Sequence, residues 1–255
     1  MQATFLGTSG ELTEDLATTS LLVNHEATTL LLDCGTGTLQ RLLGELDDLA
    51  SLSAIILTHS HADHTGDIPY LLFLAMRKQM QGLRIIASVK TMNAVRTAVS
   101  ALYPDLWARL QPIEISLSDD QLSHATVGTI EITAVPVDHA VPTLGITLQA
   151  RGRMIAVSSD TVYSPLFYAI ARDADVLIHE ALGADEELEI ARRAKHSLAS
   201  DAGRAAQACS ARALYLTHYL PKYHLERGEE LMRDASSSAP CPVHLARQGD
   251  RIDLD

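Results

Sequence analysis

The chain has 255 residues, 32 Asp and Glu against 20 Lys and Arg, a formal charge of −12, and 47% hydrophobic but only 4% aromatic residues. A chain of this length buries about 70–75% of the surface its unfolded form exposes, so it needs no covalent staples. The three scattered cysteines, Cys34, Cys209 and Cys241, argue against a disulfide framework or a Cys-rich zinc site and point to the cytosol. The start MQATFLGTSG has no basic segment ahead of an apolar one, and no run approaches the 18 or so apolar residues of a spanning helix; neither secretion nor membrane insertion is expected. So acidic a chain is also a poor partner for nucleic acid unless its basic residues cluster.

In chain order, strands are expected at residues 2–6, 21–24 and 28–33, with a polar loop over 7–19. Leu39, Leu42, Leu43 and Leu46 lie at helical spacing within 36–46. Residues 54–57 are wholly apolar, as in a strand buried on both faces. A helix follows Gly66 and carries the apolar block 70–76. Further strands are expected at 84–87, 130–135, 144–148, 154–158, 176–179 and 214–217, with a last short one at 243–245; the clearest later helices are 184–195 and 198–209. This interleaving excludes a helical bundle and predicts an α/β fold in one domain, residues 1–255. A mixed sheet covered by helices fits best, and the N-terminal meander leaves two packed sheets open.

The segment Thr58-His59-Ser60-His61-Ala62-Asp63-His64-Thr65-Gly66 directly follows the apolar strand. Three imidazoles and a carboxylate in six positions suit zinc and neighbouring divalent metals, and a tight loop lets His59 and His61 face one ion while Asp63 and His64 face another. With 11 His in the chain, shuffling would produce this pattern about once in 700 trials. A lone His or Asp at a strand end is more often a hydrogen-bonded structural residue. Three such segments nevertheless recur in order here, Val137-Asp138-His139, Ser158-Ser159-Asp160-Thr161 and Leu216-Thr217-His218, each after an expected strand.

With these motifs the chain resembles the metallo-β-lactamase fold superfamily, whose signature is His-x-His-x-Asp-His. The resemblance implies an αββα sandwich of two mixed sheets with helices outside. It also implies two divalent ions, zinc first with manganese or iron as alternatives: His59, His61 and His139 at one, Asp63, His64 and His218 at the other, Asp160 between them. His179-Glu180-Ala181, Lys195-His196-Ser197-Leu198, Tyr219-Leu220-Pro221-Lys222-Tyr223 and Phe5-Leu6-Gly7-Thr8 are similar to the tRNase Z branch. That resemblance places Glu180 and His196 beside the metals, Lys222 near a substrate phosphate, and implies a homodimer.

Two departures bear on the substrate. Only 20 residues separate His139 from Asp160, enough for two strands and a turn but not for the branch's flexible arm. Its basic N-terminal loop is replaced by Gly10-Glu11-Leu12-Thr13-Glu14-Asp15-Leu16, with three acids and no base, which would repel a long polyanion. The expected function is therefore a dinuclear metal-dependent phosphodiesterase acting on small or accessible diesters. A metal-bridging hydroxide held by Asp63 and Asp160 would attack, and His196, oriented by Glu180, would protonate the leaving oxygen. The alternatives are transfer-RNA 3′ processing, lactone or thioester hydrolysis, and an inactive metal-binding scaffold. His179 is expected to be structural, and His25, His124, His224 and His244 to serve surface or packing roles.

Overall fold

The computed structural model describes residues 1–255, apart from the side chain of Leu225. The first sheet contains β1 (Gln2–Gly7), β2 (Ser20–His25), β3 (Thr28–Leu32), β4 (Ala54–Leu57), β5 (Arg84–Ser88) and β6 (Ile113–Leu117). An antiparallel meander, β1 to β3, passes into a parallel run, β3 to β6. The second sheet repeats that plan: β7 (Ser123–Val127), β8 (Ile130–Val137), β9 (Thr143–Ala150) and β10 (Arg153–Val157) form the meander. β11 (Val176–Glu180), β12 (Leu214–Thr217) and β13 (Val243–Leu245) then continue in parallel with β10. A final strand, β14 (Arg251–Asp253), returns to the first sheet beside β1, giving seven strands in each.

The pattern of burial explains why the central strands read as apolar runs. In β4, Ala54 and Ile56 join the core between the sheets, while Ile55 and Leu57 pack under the outer helices. Those helices are α1 (Leu39–Glu45), α3 (Ile68–Arg77), α4 (Val89–Leu102) and α5 (Leu106–Leu110), with a one-turn α2 (Ala62–Thr65) between α1 and α3. The other sheet is covered by α6 (Pro165–Ile170), α8 (Ala199–Cys209) and α10 (Gly228–Ser236), with the shorter α7 (Leu188–Ala194) and α9 (Lys222–Leu225) in the connections. Ala199, Ala202, Ala205 and Ala206 let α8 lie close against this second sheet. The architecture is thus the expected αββα sandwich, in its two-sheet form.

Several element boundaries differ from the sequence reading for local reasons. The 36–46 helix begins only at Leu39, because Gly37 takes a positive φ of 85° and the Asp67 carboxylate accepts the Leu39 N–H at 2.9 Å. Residues 185–187 form a 3₁₀ turn before α7. β7 and β14 escape a hydrophobicity pattern because they expose alternate residues and are short. No helix among the described residues is long and apolar enough to cross a membrane.

Strand direction positions the site. Since β8 and β10 both run antiparallel to β9, and β11 and β12 run parallel to β10, the carboxyl ends of all four lie along one edge. That is where open α/β sheets collect functional residues.

Candidate metal centre

Each candidate side chain follows a strand end. His59 and His61 lie in the turn after β4, Asp63 and His64 on α2, His139 two residues beyond β8, Asp160 three beyond β10, and His218 directly after β12. The turn fits because Gly35 runs against it: a Cβ there would lie 2.1 Å from the Asp63 carbonyl oxygen. Asp33, Ser159 and His218 all take φ of 55–58°. Such a conformation costs a non-glycine residue about 1 kcal/mol or more and is typical of sites held by surrounding structure.

The predicted ligands gather into two groups that meet at Asp160: His59, His61 and His139 on one side, Asp63, His64 and His218 on the other, with the ligand atoms of each group within 4.8 Å of one another. Asp160 Oδ2 lies 3.6 Å from Nε2 of both His59 and His139 and 3.2 Å from Nε2 of His218, while its Oδ1 lies 3.2 Å from Nε2 of His64. Asp63 Oδ2 is 3.1 Å from His218 Nε2, and His61 Nδ1 is 3.2 Å from His139 Nε2.

The far side of the rings decides which nitrogen carries a lone pair. Asp33 Oδ2 is 2.7 Å from His64 Nδ1, which must therefore donate, so that in the neutral ring Nε2 carries the lone pair. Asp33 also accepts the Thr58 N–H and the Thr58 hydroxyl, each at 2.8 Å. With its proton committed to Asp33, Thr58 Oγ1 can only accept from His59 Nδ1 at 3.1 Å, so His59 too presents a bare Nε2. His139 Nδ1 donates to the Lys195 carbonyl at 3.1 Å, to the same effect. One buried carboxylate thus sets the tautomer of two candidate ligands. The sequence reading missed Asp33, whose only signal was an acid closing an apolar strand.

The residues fit a divalent cation. Nε2 of His59 and His64 and both oxygens of Asp160 are buried without a hydrogen-bond partner, an arrangement that is costly unless a cation takes the lone pairs. The charges agree. Burial pushes His59 far down and His139 to about 4, keeping both imidazoles neutral. Burial would also depress His64 and His218, but Asp160 with Asp33 holds His64 well above its ordinary range, and Asp160 with Asp63 holds His218 at about 9. Against the cost of its own burial, Asp160 is held far below the carboxylate range by the charges of His218 and His64. Protons on His64 and His218 thus balance carboxylates that divalent ions would otherwise neutralise.

Glu180, the last residue of β11, is fully buried, and its Oε2 lies 3.0 Å from His196 Nδ1 while Oε1 accepts the Thr161 N–H at 2.5 Å. The His196 ring meets a candidate ligand of each group, with centroids 4.9 Å from His139 and 5.1 Å from His218. Burial raises the Glu180 carboxyl; the same burial would lower His196, but Glu180 outweighs it and raises the imidazolium.

Lys222 is not gathered with them. Its Nζ pairs with Glu186 at 2.9 Å and with Glu187, and lies 5.1 Å from the centre of the Tyr223 ring, so as a phosphate contact it would have to abandon two carboxylates. His179 is buried, with Nδ1 2.8 Å from the Glu180 carbonyl. His25 is buried in β2, His124 is 3.1 Å from Thr133 Oγ1, His224 is 3.3 Å from the Tyr219 hydroxyl, and His244 stacks on Tyr215; none joins a ligand group.

Two stacked mixed sheets with His and Asp converging at their carboxyl ends define a metallo-hydrolase of the β-lactamase type. The beta-lactamase superfamily domain family matches residues 28–219, and the chain belongs to it. Ribonuclease Z of Mycobacterium bovis (strain BCG / Pasteur 1173P2) is 29% identical over all of this chain and 98% of its own length. Among solved structures, the metallo-beta-lactamase fold protein YhfI from Bacillus subtilis superposes with a TM-score of 0.84 at 26% identity, covering 98% of both chains. The human tRNase Z short form shares the fold with a TM-score of 0.80 at 22% identity and full coverage of both. The protein is a metallo-β-lactamase fold hydrolase with a divalent-metal site.

Proposed function

We propose that the chain is a dinuclear phosphodiesterase that hydrolyses small or accessible phosphodiesters. His59, His61 and His139 would hold one ion, Asp63, His64 and His218 the other, and Asp160 both; zinc suits this nitrogen and carboxylate set, with manganese or iron as alternatives. When bound, the ions supply water that ionises near neutral pH and positive charge facing the phosphoryl oxygens. The chain's own residues supply the rest. Glu180 fixes the His196 proton on Nδ1 and stabilises the imidazolium, and His196 Nε2 gives its proton to the departing oxygen. Asp33 and Thr58 keep the ligand rings in one tautomer through the cycle.

The observation that carries this reading is the contact of His196 with one ligand of each group while Glu180 holds its other nitrogen. An acid over the metal pair serves a poor leaving group such as an alkoxide, which suits diester chemistry better than lactone or thioester hydrolysis.

The ribonuclease Z relatives support transfer-RNA processing as the competing reading. Two features weigh against it. The segment between His139 and Asp160 is only the β9–β10 hairpin. The exposed acids Glu11, Glu14 and Asp15 follow Gly10, where a Cβ would lie 3.1 Å from the His218 ring, so negative charge flanks the site.

Metal analysis of the purified protein and a panel of an aryl phosphodiester, cyclic nucleotides, precursor transfer RNA and a lactone tests the reading. Diester turnover that falls about 10²-fold or more in His196→Ala with metal retained supports it. Efficient precursor cleavage with little activity on small diesters would overturn it.

A further inference from the structure

Residues 195–198 alone join α7 to α8, and Lys195 opens that joint in the left-handed region, with φ 59° and ψ 53°. Its amide closes the last turn of α7 on the Arg192 carbonyl, and the next residue is His196. A residue with a Cβ is strained in that conformation and glycine is not, so the backbone alone gives no reason for a lysine. We infer that Lys195 is a positioning residue that latches the His196 loop to the chain beyond β8 that carries His139. The inference rests on the phosphodiesterase reading above, in which His196 is the acid, and names what holds that acid in place.

The latch has two parts. Its main-chain part is the Lys195 carbonyl, which accepts Nδ1–H of His139 at 3.1 Å. Its side-chain part is the ammonium, which reaches Asp138 Oδ1 at 2.8 Å. Asp138 directly precedes His139, and its own carbonyl accepts the Val162 N–H at 3.1 Å, two residues past Asp160. One residue therefore grips both a candidate ligand ring and the chain that bears the ring. His196 follows by one peptide bond, so fixing Lys195 fixes where the His196 ring lies against His139, 4.9 Å between centroids at 60°. On its other side the same ring is held by Glu180 Oε2 at 3.0 Å. Glu180 sets which way the ring turns, and Lys195 sets how far the loop stands from the candidate ligands.

The ion pair is the separable part. Neither Lys195 nor Asp138 has another ionic partner among the described residues, and their side chains are 47% and 60% exposed. A contact between two half-exposed charges can be broken without opening the core. Its effect is modest for the same reason, about fivefold or less, and it shrinks as salt rises.

Lys195→Gly, Lys195→Arg and Asp138→Asn in the metal-loaded protein test the latch with two substrates. Bis(4-nitrophenyl) phosphate has a leaving group that needs no proton, whereas the alkoxide leaving a dinucleoside monophosphate does. Lys195→Gly removes the strain together with the side chain, so its urea midpoint stays level or rises. Its kcat on the dinucleotide nevertheless falls about fivefold at low salt, while KM, metal per chain and the rate on the aryl diester keep their parent values. Asp138→Asn gives the same fall, and Lys195→Arg, which preserves the charge, keeps most of the rate. In about 1 M salt the difference between parent and variants narrows. A lysine that is merely structural lowers both rates together or neither, and either result overturns the latch but not the phosphodiesterase reading. Should the parent hydrolyse neither substrate, that reading fails, and solvent exchange of the His139 Nδ1 proton in the zinc-loaded protein, followed by NMR, answers for the latch separately. Faster exchange in Lys195→Gly and Asp138→Asn supports it, and unchanged exchange overturns it.

Discussion

Replacing Asp33 by Asn changes one atom, yet it should disable half of the metal centre. The Asp33 carboxylate is 2% exposed and accepts three hydrogen bonds, from His64 Nδ1, the Thr58 amide and the Thr58 hydroxyl. An asparagine in the same place can keep its oxygen toward the Thr58 amide only by turning its NH2 toward His64. His64 must then accept at Nδ1 and carry its proton on Nε2, where it occupies the lone pair that faces Asp160. In the flipped orientation the NH2 opposes the Thr58 N–H, and a buried donor goes unsatisfied. Either outcome costs about 1–3 kcal/mol of stability. Metal affinity at the Asp63, His64 and His218 group should fall about 10- to 100-fold, the usual effect of removing a partner behind a ligand. Chelator competition, with metal per chain read by mass spectrometry, measures the affinity, and urea unfolding measures the stability. Wild-type affinity for both ions in a folded Asp33→Asn protein would refute the assignment of tautomers.

Asp160→Ala should lose both ions and all activity, since both ligand groups share that carboxylate; one tightly held ion in the dialysed variant would contradict the shared role. Glu180→Gln removes the anion that raises His196, so the imidazolium gives up its proton at lower pH. The alkaline limb of kcat/KM should then move toward acid, and an unmoved limb would speak against His196 as the acid. In metal-free protein, the raised His218 contributes stability that is fully present below about 6.5 and is lost as pH rises through about 9. Melting temperatures of chelator-treated protein should therefore fall across that window. Divalent metal binding at pH 7 should also release about two protons, from His64 and His218, measurable by calorimetry in buffers of different ionisation enthalpy.

The sequence by itself determined what short-range pattern can carry. Period and apolarity are local properties, so β4 was legible because it is buried on both faces and wholly apolar, and the apolar runs 154–157, 176–178 and 214–216 marked β10, β11 and β12. Six positions after β4 already contained four ligand-type side chains, since a tight turn places near neighbours on common ions. Other features were decided only by the tertiary structure. The half-exposed β7 and the three-residue β14 have too little periodicity to declare themselves. Lys222, read as a phosphate contact, is engaged by Glu186 and Glu187, some 35 residues away in the chain, and no local pattern encodes such a pairing. Asp33 lies 25 residues from Thr58 and 31 from His64, and becomes a partner of both only because β3 and β4 run parallel and in register. The −12 charge was countable from composition; where it acts depends on the folded chain, which sets Gly10, at the head of the acidic loop, beside His218. Burial and hydrogen bonding act through space, so residues distant in sequence acquire their chemical roles only when packing brings them together.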